Sequence, residues 1–462
     1  MGLIVAGDRS GTGKTTVTLA LLAALTHRSQ PVQSFKVGPD YIDPMFHRAV
    51  TGCPCYNLDP VLTSETYVQR CYQQHTTGYA VVEGVMGLFD GADGETDVAS
   101  TAHIARLLNL PVLLVVDCAR MSRSVAALVL GYRQLDPRIS IAGVVLNRVG
   151  SERHLALLRS ALNSISVPIL GVFRRGADIK LPDRHLGLVP VGELSGFRQT
   201  VQRLAALGEA NFEWPQLEAV FRQGQRQVRP DVKPLPTAIT PLRSDPPMIA
   251  IAWDRAFNFY YPDNLAQLAQ WGAILRYWSP MADAFPADVQ GLYLGGGFPE
   301  VFAEALADNR AARDGVRGAI ATGLPTYAEC GGLMYLCQTL TDFDGQTWPM
   351  TGVLETSVEM SGQLSLGYRQ SHTLQSGPVL PANATVTGHE FHRSRLQTAL
   401  PDALYRSRRA FPSGPADGPY LEGVGTENLQ ASYLHLHWGS RPDIAERFVT
   451  QCRQWRSGLS AP

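Results

Sequence analysis

The sequence has no excess of positive charge: 40 Lys and Arg face 41 Asp and Glu over 462 residues, a formal net charge of −1. Binding nucleic acid through bulk electrostatics needs a basic surplus to neutralise phosphates, so that class is excluded. Long apolar runs are also missing; none reaches the roughly 18 residues that cross a bilayer as a helix. The opening residues, MGLIVAGDRSGTGKTT, are apolar only briefly and lack the basic start of a secretory signal. A cytoplasmic protein that engages no membrane is therefore expected. Cysteine is sparse: seven residues, an odd number, lie scattered over the chain, which argues against a disulfide framework. No internal repeat and no low-complexity tract is found.

What remains is a globular composition, with 45% hydrophobic and 18% charged residues. At about 150 residues per domain the length suggests two or three domains. Short apolar runs alternate with helical patterns over the first part. Leu3–Ala6, Gln33–Val37, Tyr79–Glu83, Val112–Asp117, Ile141–Asn147 and Val167–Gly171 read as strands, and Thr15–Thr26 as a buried helix. Continuous apolar strands separated by helices indicate a parallel sheet covered on both faces. Residues 193–223 read as amphipathic helix. Six prolines between Val228 and Pro247 then favour an extended connector. A second α/β pattern starts at Met248–Ala252 and includes strands ending at Leu294 and near Ala328. The expected organisation is a domain over 1–190, a helical and proline-rich segment over 191–246, and a second domain over 247–455.

Gly7-Asp-Arg-Ser-Gly-Thr-Gly-Lys-Thr-Thr16 sits between a strand and a helix, the context of a phosphate-binding P-loop. Glycines let backbone N–H groups close on an anion, and the helix N-terminus adds partial positive charge. Gly11, Thr12, Gly13, Lys14, Thr15 and Thr16 are the expected nucleotide contacts, Lys14 reaching the β/γ-phosphates and Thr15 binding Mg²⁺. The strict pattern has glycine where this chain has Asp8. Acidic partners for the metal follow two strands: Asp40 and Asp43 in KVGPDYIDP, and Glu83 and Asp90 in EGVMGLFDG. Ligands of open α/β sheets bind outside the carboxyl ends of strands, where both segments lie. Asp43 reads equally as a solvated turn carboxylate, Asp40 less so.

In the second domain Pro325-Thr-Tyr-Ala-Glu-Cys-Gly-Gly332 runs from an apolar strand into Cys330, two glycines and a helical pattern. A nucleophile on so sharp a turn stands exposed at the top of its sheet. The N-terminus of the following helix would draw its thiol toward the thiolate. Tyr293-Leu-Gly-Gly-Gly-Phe-Pro-Glu300 follows another strand, and Gly296 and Gly297, with Gly331, are candidate oxyanion-hole donors. A thiol nucleophile needs a base. Ser432-Tyr-Leu-His-Leu-His437 offers His435 and His437; two apart on a strand, they face the same side, and the residues alone do not separate them.

The combination resembles the cobyrinic acid a,c-diamide synthases of cobalamin biosynthesis. The resemblance covers most of the chain and is weakest over 190–247. It rests on SGTGKTT, FKVGPDYIDP, EGVMGLFDG, FNFYYPDNL, YLGGGFPE, AECGG, LGYR, GHEFHRS and SYLHLH. The resemblance implies an α/β fold: a P-loop NTPase, dethiobiotin-synthetase-like sheet followed by a glutamine amidotransferase-like α/β domain. It implies that glutamine is hydrolysed at Cys330 with His435 as base. ATP would phosphorylate a side-chain carboxylate of cobyrinic acid, and ammonia would displace the phosphate, at the c and a acetates, passing between domains out of bulk water. Mg²⁺ is the implied metal, with Thr15, Asp40 and Glu83 as ligands. Asp40, Tyr41 and Asp90 are expected near nucleotide and substrate carboxylate, and Asn147 would read adenine, unless it is a turn cap. A homodimer is allowed. Hydrogenobyrinic acid and nickel sirohydrochlorin are the alternative substrates with the same regiochemistry. Cobyric acid synthases differ around the second strand, and a partitioning-type ATPase would lack the thiol domain. One departure stands out: many glutamine amidotransferases carry HxE, whereas here the third position is His437. The third member of the triad is then absent or supplied from elsewhere, and ammonia could serve directly.

Overall fold

The computed structural model describes residues 1–176, 179, 181–184, 187–225, 246–411 and 418–459. The chain divides into two compact units, Met1–Pro60 with Ser64–Leu235, and Val61–Thr63 with Pro236–Pro462. Among the described residues no helix is long and apolar enough to cross a membrane.

In the first unit, β1 (Gly2–Gly7), β2 (Val32–Val37), β3 (Tyr56–Leu58), β4 (Tyr79–Glu83), β5 (Val112–Asp117), β6 (Ile141–Val149) and β7 (Ile169–Arg174) form one sheet. Its order is β3-β2-β4-β1-β5-β6-β7, and every pairing is parallel. Parallel strands need crossover helices, which bury both faces. Accordingly Leu3–Ala6 and Val112–Val116 are wholly buried. The crossovers include α1 (Lys14–His27), α2 (Ile42–Thr51), α3 (Glu65–His75), α4 (Thr101–Leu108), α5 (Ser124–Leu135) and α6 (Glu152–Asn163). Ser64, Ser100 and Ser151 cap α3, α4 and α6, accepting N–H bonds from Tyr67, His103 and His154. Each such cap satisfies a donor that the first helical turn leaves over.

The helical stretch expected over 193–223 is two helices, α7 (Phe197–Asn211) and α8 (Trp214–Gln225). The break falls at Phe212, which is extended at φ −95° and bridges Gly171 while its ring packs on Phe173 and Trp214. Pairing with the sheet edge outcompetes one more helical turn. Both helices belong to the first unit, not to a separate segment: a side chain at Gly208 would strike the Ala20 carbonyl at 2.3 Å, and Phe221 meets Tyr79 edge-on. A short ribbon pairs β8 (Asp183–Arg184) with β9 (Gly187–Leu188). The proline-rich stretch 228–247 lies, but for Pro246 and Pro247, outside the described residues.

The second unit opens with β10 (Met248–Ala252), β11 (Phe257–Phe259), β12 (Ile274–Trp278), β13 (Gly291–Leu294), β14 (Gly296–Gly297) and β15 (Thr326–Glu329). Then follow β16 (Thr339–Thr341), β17 (Thr347–Pro349), β18 (Val358–Thr373), β19 (Thr385–Leu396), β20 (Ala403–Arg409), β21 (Tyr420–Gly425) and β22 (Leu429–Ser432). Its large sheet runs β12-β10-β13-β15-β22-β21-β20-β18-β16-β17, with β19 against β18. The run β12 to β22 is parallel; from β22 to β18 it is antiparallel. Helices α9 (Pro262–Gln270), α10 (Ala303–Asp308), α11 (Arg310–Ala321), α12 (Gly331–Leu336) and α13 (Pro442–Leu459) complete the unit.

Candidate active sites

In the first unit the loop Asp8–Gly13 leaves the carboxyl end of β1, and α1 begins at Lys14. Gly11 and Gly13 sit at φ 76° and 92°, torsions that glycine alone adopts without strain. Asp8 is not among the positive-φ residues, so the departure from the strict motif carries no backbone penalty. Its carboxylate pairs with Arg9 at 2.8 Å, and Arg9 reaches Asp117 at 2.9 Å. Burial, opposed by Arg9, leaves the Asp8 carboxyl above its usual range. Lys14 Nζ donates to the Met86 carbonyl at 2.5 Å; burial, and then Lys36 nearby, lower its pKa. Thr12 is buried in the loop, and Thr16 follows half-buried on the first turn of α1.

The acidic side of this site follows from strand register. Lys36 on β2 lies beside Glu83 on β4, and residues in register on neighbouring strands point to one face. Lys36 Nζ meets Asp43 Oδ2 at 2.5 Å, Glu83 Oε1 at 3.2 Å and Asp40 Oδ2 at 3.6 Å. Thr15 Oγ1 donates to Glu83 Oε1 at 2.7 Å and lies 3.4 Å from Asp43 Oδ2. The other Glu83 oxygen meets His47 Nε2 at 2.6 Å, and His47 Nδ1 lies 3.3 Å from Cys55 Sγ. Burial alone would raise the Glu83 pKa; Lys36 and His47 outweigh it and hold the carboxyl well below the usual range. Burial and then Asp40 push Asp43 up to about 7 despite Lys36. His47 is raised to about 10, its burial outweighed by Cys55 and Glu83.

Of the expected residues, Thr15 and Glu83 are brought together. Asp40 stands one step back: its Oδ1 accepts the N–H of Ile42 and Asp43 and so caps α2, while Asp43 takes the place beside Thr15. Tyr41 precedes α2 and is buried. Asp90 is exposed, and its carboxylate accepts the Gly87 N–H to close the EGVMGLFDG turn. Asn147 reaches the P-loop, but its amide donates to the Thr12 carbonyl at 2.7 Å and its oxygen accepts the Arg148 N–H. In this arrangement it braces the loop from the end of β6. A side chain at Gly13 would strike that amide at 2.3 Å. Lys36 and His47 were not singled out from the sequence; a lysine inside a buried parallel strand was the available signal.

In the second unit Cys330 follows β15 at φ 47° and ψ −101°, a strained conformation for a non-glycine residue, and α12 begins at the next residue. Its N–H donates to the Ser432 carbonyl at 2.7 Å, which anchors the turn to the end of β22. The glycine loops close around it. A side chain at Gly331 would meet Gly297 N at 3.1 Å, and one at Gly296 would meet His435 Cε1 at 2.5 Å. The elbow, the candidate oxyanion donors and His435 thus share one place. Burial, and Glu300 next, push the Cys330 thiol well above its usual range. Burial and the neighbouring His389 and His392 lower His435 to about 3. Both shifts favour the neutral form of the group.

The two histidines do not share a strand face. β22 ends at Ser432, and only His435 pairs further on, in an isolated bridge with His389. His437 turns the other way: its ring lies 4.5 Å from that of Tyr261, its Nδ1 accepts the Gly439 N–H, and its Nε2 is 3.5 Å from Asp263.

In the same unit a pocket of 330 Å³ is lined by Arg369, Glu390, His392, Tyr420, Glu422 and Tyr433, among others. Tyr433 follows Ser432, which holds the Cys330 N–H. Arg369 from LGYR and Glu390 from GHEFHRS form a buried ion pair at 2.9 Å, and Tyr420 donates to Glu390 at 2.5 Å. Glu422, raised to about 8 by burial and then by Glu390, accepts the Tyr433 N–H. Arg369, Glu390, His392 and Tyr433 entered the sequence reading only inside motifs, and Tyr420 and Glu422 not at all, because they come from strands distant in the chain and converge through the antiparallel half of the sheet.

Residues 3–189 match the CobQ/CobB/MinD/ParA nucleotide binding domain, and residues 248–443 match the CobB/CobQ-like glutamine amidotransferase domain. The chain is 53% identical to a cobyrinate a,c-diamide synthase of Synechococcus sp. over 98% of its own length and 99% of that protein. It is 52% identical to one from Synechocystis sp., covering 100% of this chain and 95% of the relative. A hydrogenobyrinate a,c-diamide synthase of Streptomyces coelicolor is 41% identical, over 98% and 97% of the two chains.

Proposed function

This chain belongs to the cobyrinate a,c-diamide synthases, and we propose that its two sites divide one reaction between them. It is a glutamine-dependent amidoligase of cobalamin biosynthesis that uses ATP. The amidotransferase unit releases ammonia from glutamine at Cys330. The nucleotide unit activates the c and a acetates of cobyrinic acid by phosphorylation, and ammonia then forms the amides. A carboxylate is a poor electrophile with no usable leaving group; an acyl phosphate supplies one. The observation that carries this reading is the pairing, in one chain, of a P-loop whose Thr15 donates to Glu83 with a strained Cys330 and a glycine loop that meets His435.

The residues present fit Mg²⁺. Thr15 Oγ1 and the Glu83 and Asp43 carboxylates offer oxygen donors at the start of α1. Mg²⁺ keeps several waters and takes phosphate oxygens as ligands, so it needs only one or two protein carboxylates. When bound, Mg²⁺ would neutralise charge on the transferred phosphoryl. Lys14, leaving the Met86 carbonyl, would do the same from the other side of the loop. In the second unit the pocket carries both signs, as the zwitterionic head of glutamine requires: Arg369 for its carboxylate and Glu390 for its ammonium. The protein works in the cytoplasm and as a homodimer in this reading, with no nucleic-acid partner.

Oxygen-18 tests the phosphorylated intermediate. With cobyrinic acid labelled in its acetate carboxylates, amidation should place label in inorganic phosphate. Amide formation with unlabelled phosphate would overturn the acyl-phosphate route. Hydrogenobyrinic acid is the second substrate to try, because a relative of nearly full coverage bears that name.

A further inference from the structure

The departure at HxE leaves a question the structure answers. Glu329 immediately precedes Cys330 and is 1% exposed. Its Oε2 lies 3.9 Å from His435 Nδ1. Three donors hold the carboxyl in place: Tyr327 OH at 2.6 Å and the Leu436 N–H at 2.9 Å on Oε1, and Tyr293 OH at 3.0 Å on Oε2. Tyr293, Tyr327 and Leu436 come from β13, β15 and the residue after His435 itself. So the carboxyl is fixed from three directions, and one of them moves with the histidine.

We propose that Glu329 is the positioning acid of the glutamine half-reaction, taking the role that HxE supplies elsewhere. It rests on the reading of Cys330 and His435 given above. Nucleophile and acid are then consecutive residues, with the base between them in space but 105 residues on in sequence. Facing Nδ1, the carboxyl selects the tautomer with the proton on Nδ1 and leaves Nε2, the nitrogen toward Gly296, as acceptor. The Cys330 thiol proton passes to Nε2 as sulfur bonds to the amide carbon of glutamine. The same proton goes to the departing nitrogen as the C–N bond breaks, giving ammonia and a thioester. Water then cleaves the thioester to glutamate and restores the thiol. Between these steps His435 is an imidazolium, which an acceptor at Nδ1 stabilises. Burial pushes the Glu329 carboxyl up to about 7, against its three donors, so it is poised to respond to a charge forming beside it. Apo catalytic hydrogen bonds are often long and tighten only with substrate in place.

The test is Glu329→Gln in the full chain, assayed with glutamine and, separately, with ammonium. Glutamine-dependent kcat should fall on the order of 10²-fold, the scale of positioned base catalysis. KM for glutamine should stay within about twofold, since Glu329 touches the base and not the substrate. Ammonia-dependent amidation should persist, and alkylation of Cys330 by iodoacetamide should slow with kcat. Tyr293→Phe removes a donor and keeps the carboxyl, so its kcat should fall less. Unchanged glutamine-dependent kcat in Glu329→Gln would overturn the assignment. Equal loss with glutamine and ammonium in both variants would also overturn it, marking Glu329 as structural. Cys330→Ala separates the two levels: if it keeps glutamine-dependent turnover, the underlying reading of the thiol fails instead.

Discussion

Replacing Lys36 by Met removes the ammonium that lies within 4 Å of Asp43, Glu83 and Asp40 together. Lys36 is 3% exposed, so water cannot take its place. At an effective dielectric of 20, a charge pair 3 Å apart is worth about 5 kcal/mol, and the cost of desolvating the lysine offsets much of it. What stays behind is buried Glu83 and largely buried Asp43, with His47 on Glu83 and, farther off, Lys14 as neighbouring cations. Breaking a buried pair from one side costs about 3–5 kcal/mol. For a unit of this size each kcal/mol moves the melting temperature by about 2–4 °C, so a drop on the order of 10 °C is expected. Thermal unfolding of Lys36→Met beside the parent, without nucleotide, measures it. Repeating the scan with Mg²⁺ and ATP should narrow the gap, because a bound cation restores positive charge among the same carboxylates. A variant melting within about 2 °C of the parent without ligand would refute the view that Lys36 neutralises this cluster.

Cys330→Ser should abolish glutamine-dependent turnover and keep ammonia-dependent turnover; retained glutamine use would remove the thiol from the mechanism. Lys14→Ala should lose both routes, since ATP drives either, and full activity in an amidation assay would sink the P-loop assignment. In Glu83→Gln the Mg²⁺ titration of activity should shift to higher concentration or turnover should stop, whereas an unchanged titration would reject Glu83 as a ligand. A methyl at Gly296 would meet His435 Cε1 at 2.5 Å and must tilt the ring. Displacements of that scale cost on the order of 10²-fold in rate. Gly296→Ala should therefore lose glutamine-dependent kcat while ammonia-dependent amidation continues, and an unaltered kcat would place His435 outside the site.

The parallel sheet was legible because its strands are continuous apolar runs: Tyr79–Glu83 and Val112–Asp117 form as read. The P-loop and the cysteine elbow were legible for a different reason. Each is local, with glycines whose positive φ or close approach is written in a few consecutive residues. What escaped is long-range. Lys36 becomes an electrostatic partner of Glu83 only through strand register, and Asp43 displaces Asp40 beside Thr15 only because Asp40 is used to cap α2. The choice between His435 and His437 depended on where β22 stops, and Glu329 gained its role from Tyr293 on the neighbouring β13 together with Tyr327 on its own strand. Phe212 broke a helix whose amphipathic pattern continues through it, since its partner Gly171 lies on β7.

One chain converts two acetate carboxylates of cobyrinic acid to amides at the expense of ATP and glutamine. The direct measurement is mass spectrometry of the corrinoid after incubation with the purified protein, Mg²⁺, ATP and glutamine. Two successive products should form, each differing from its precursor by exchange of one carboxyl hydroxyl for an amino group, and neither should form without ATP. Cobyrinic acid recovered unchanged while ATP is hydrolysed would contradict the claim.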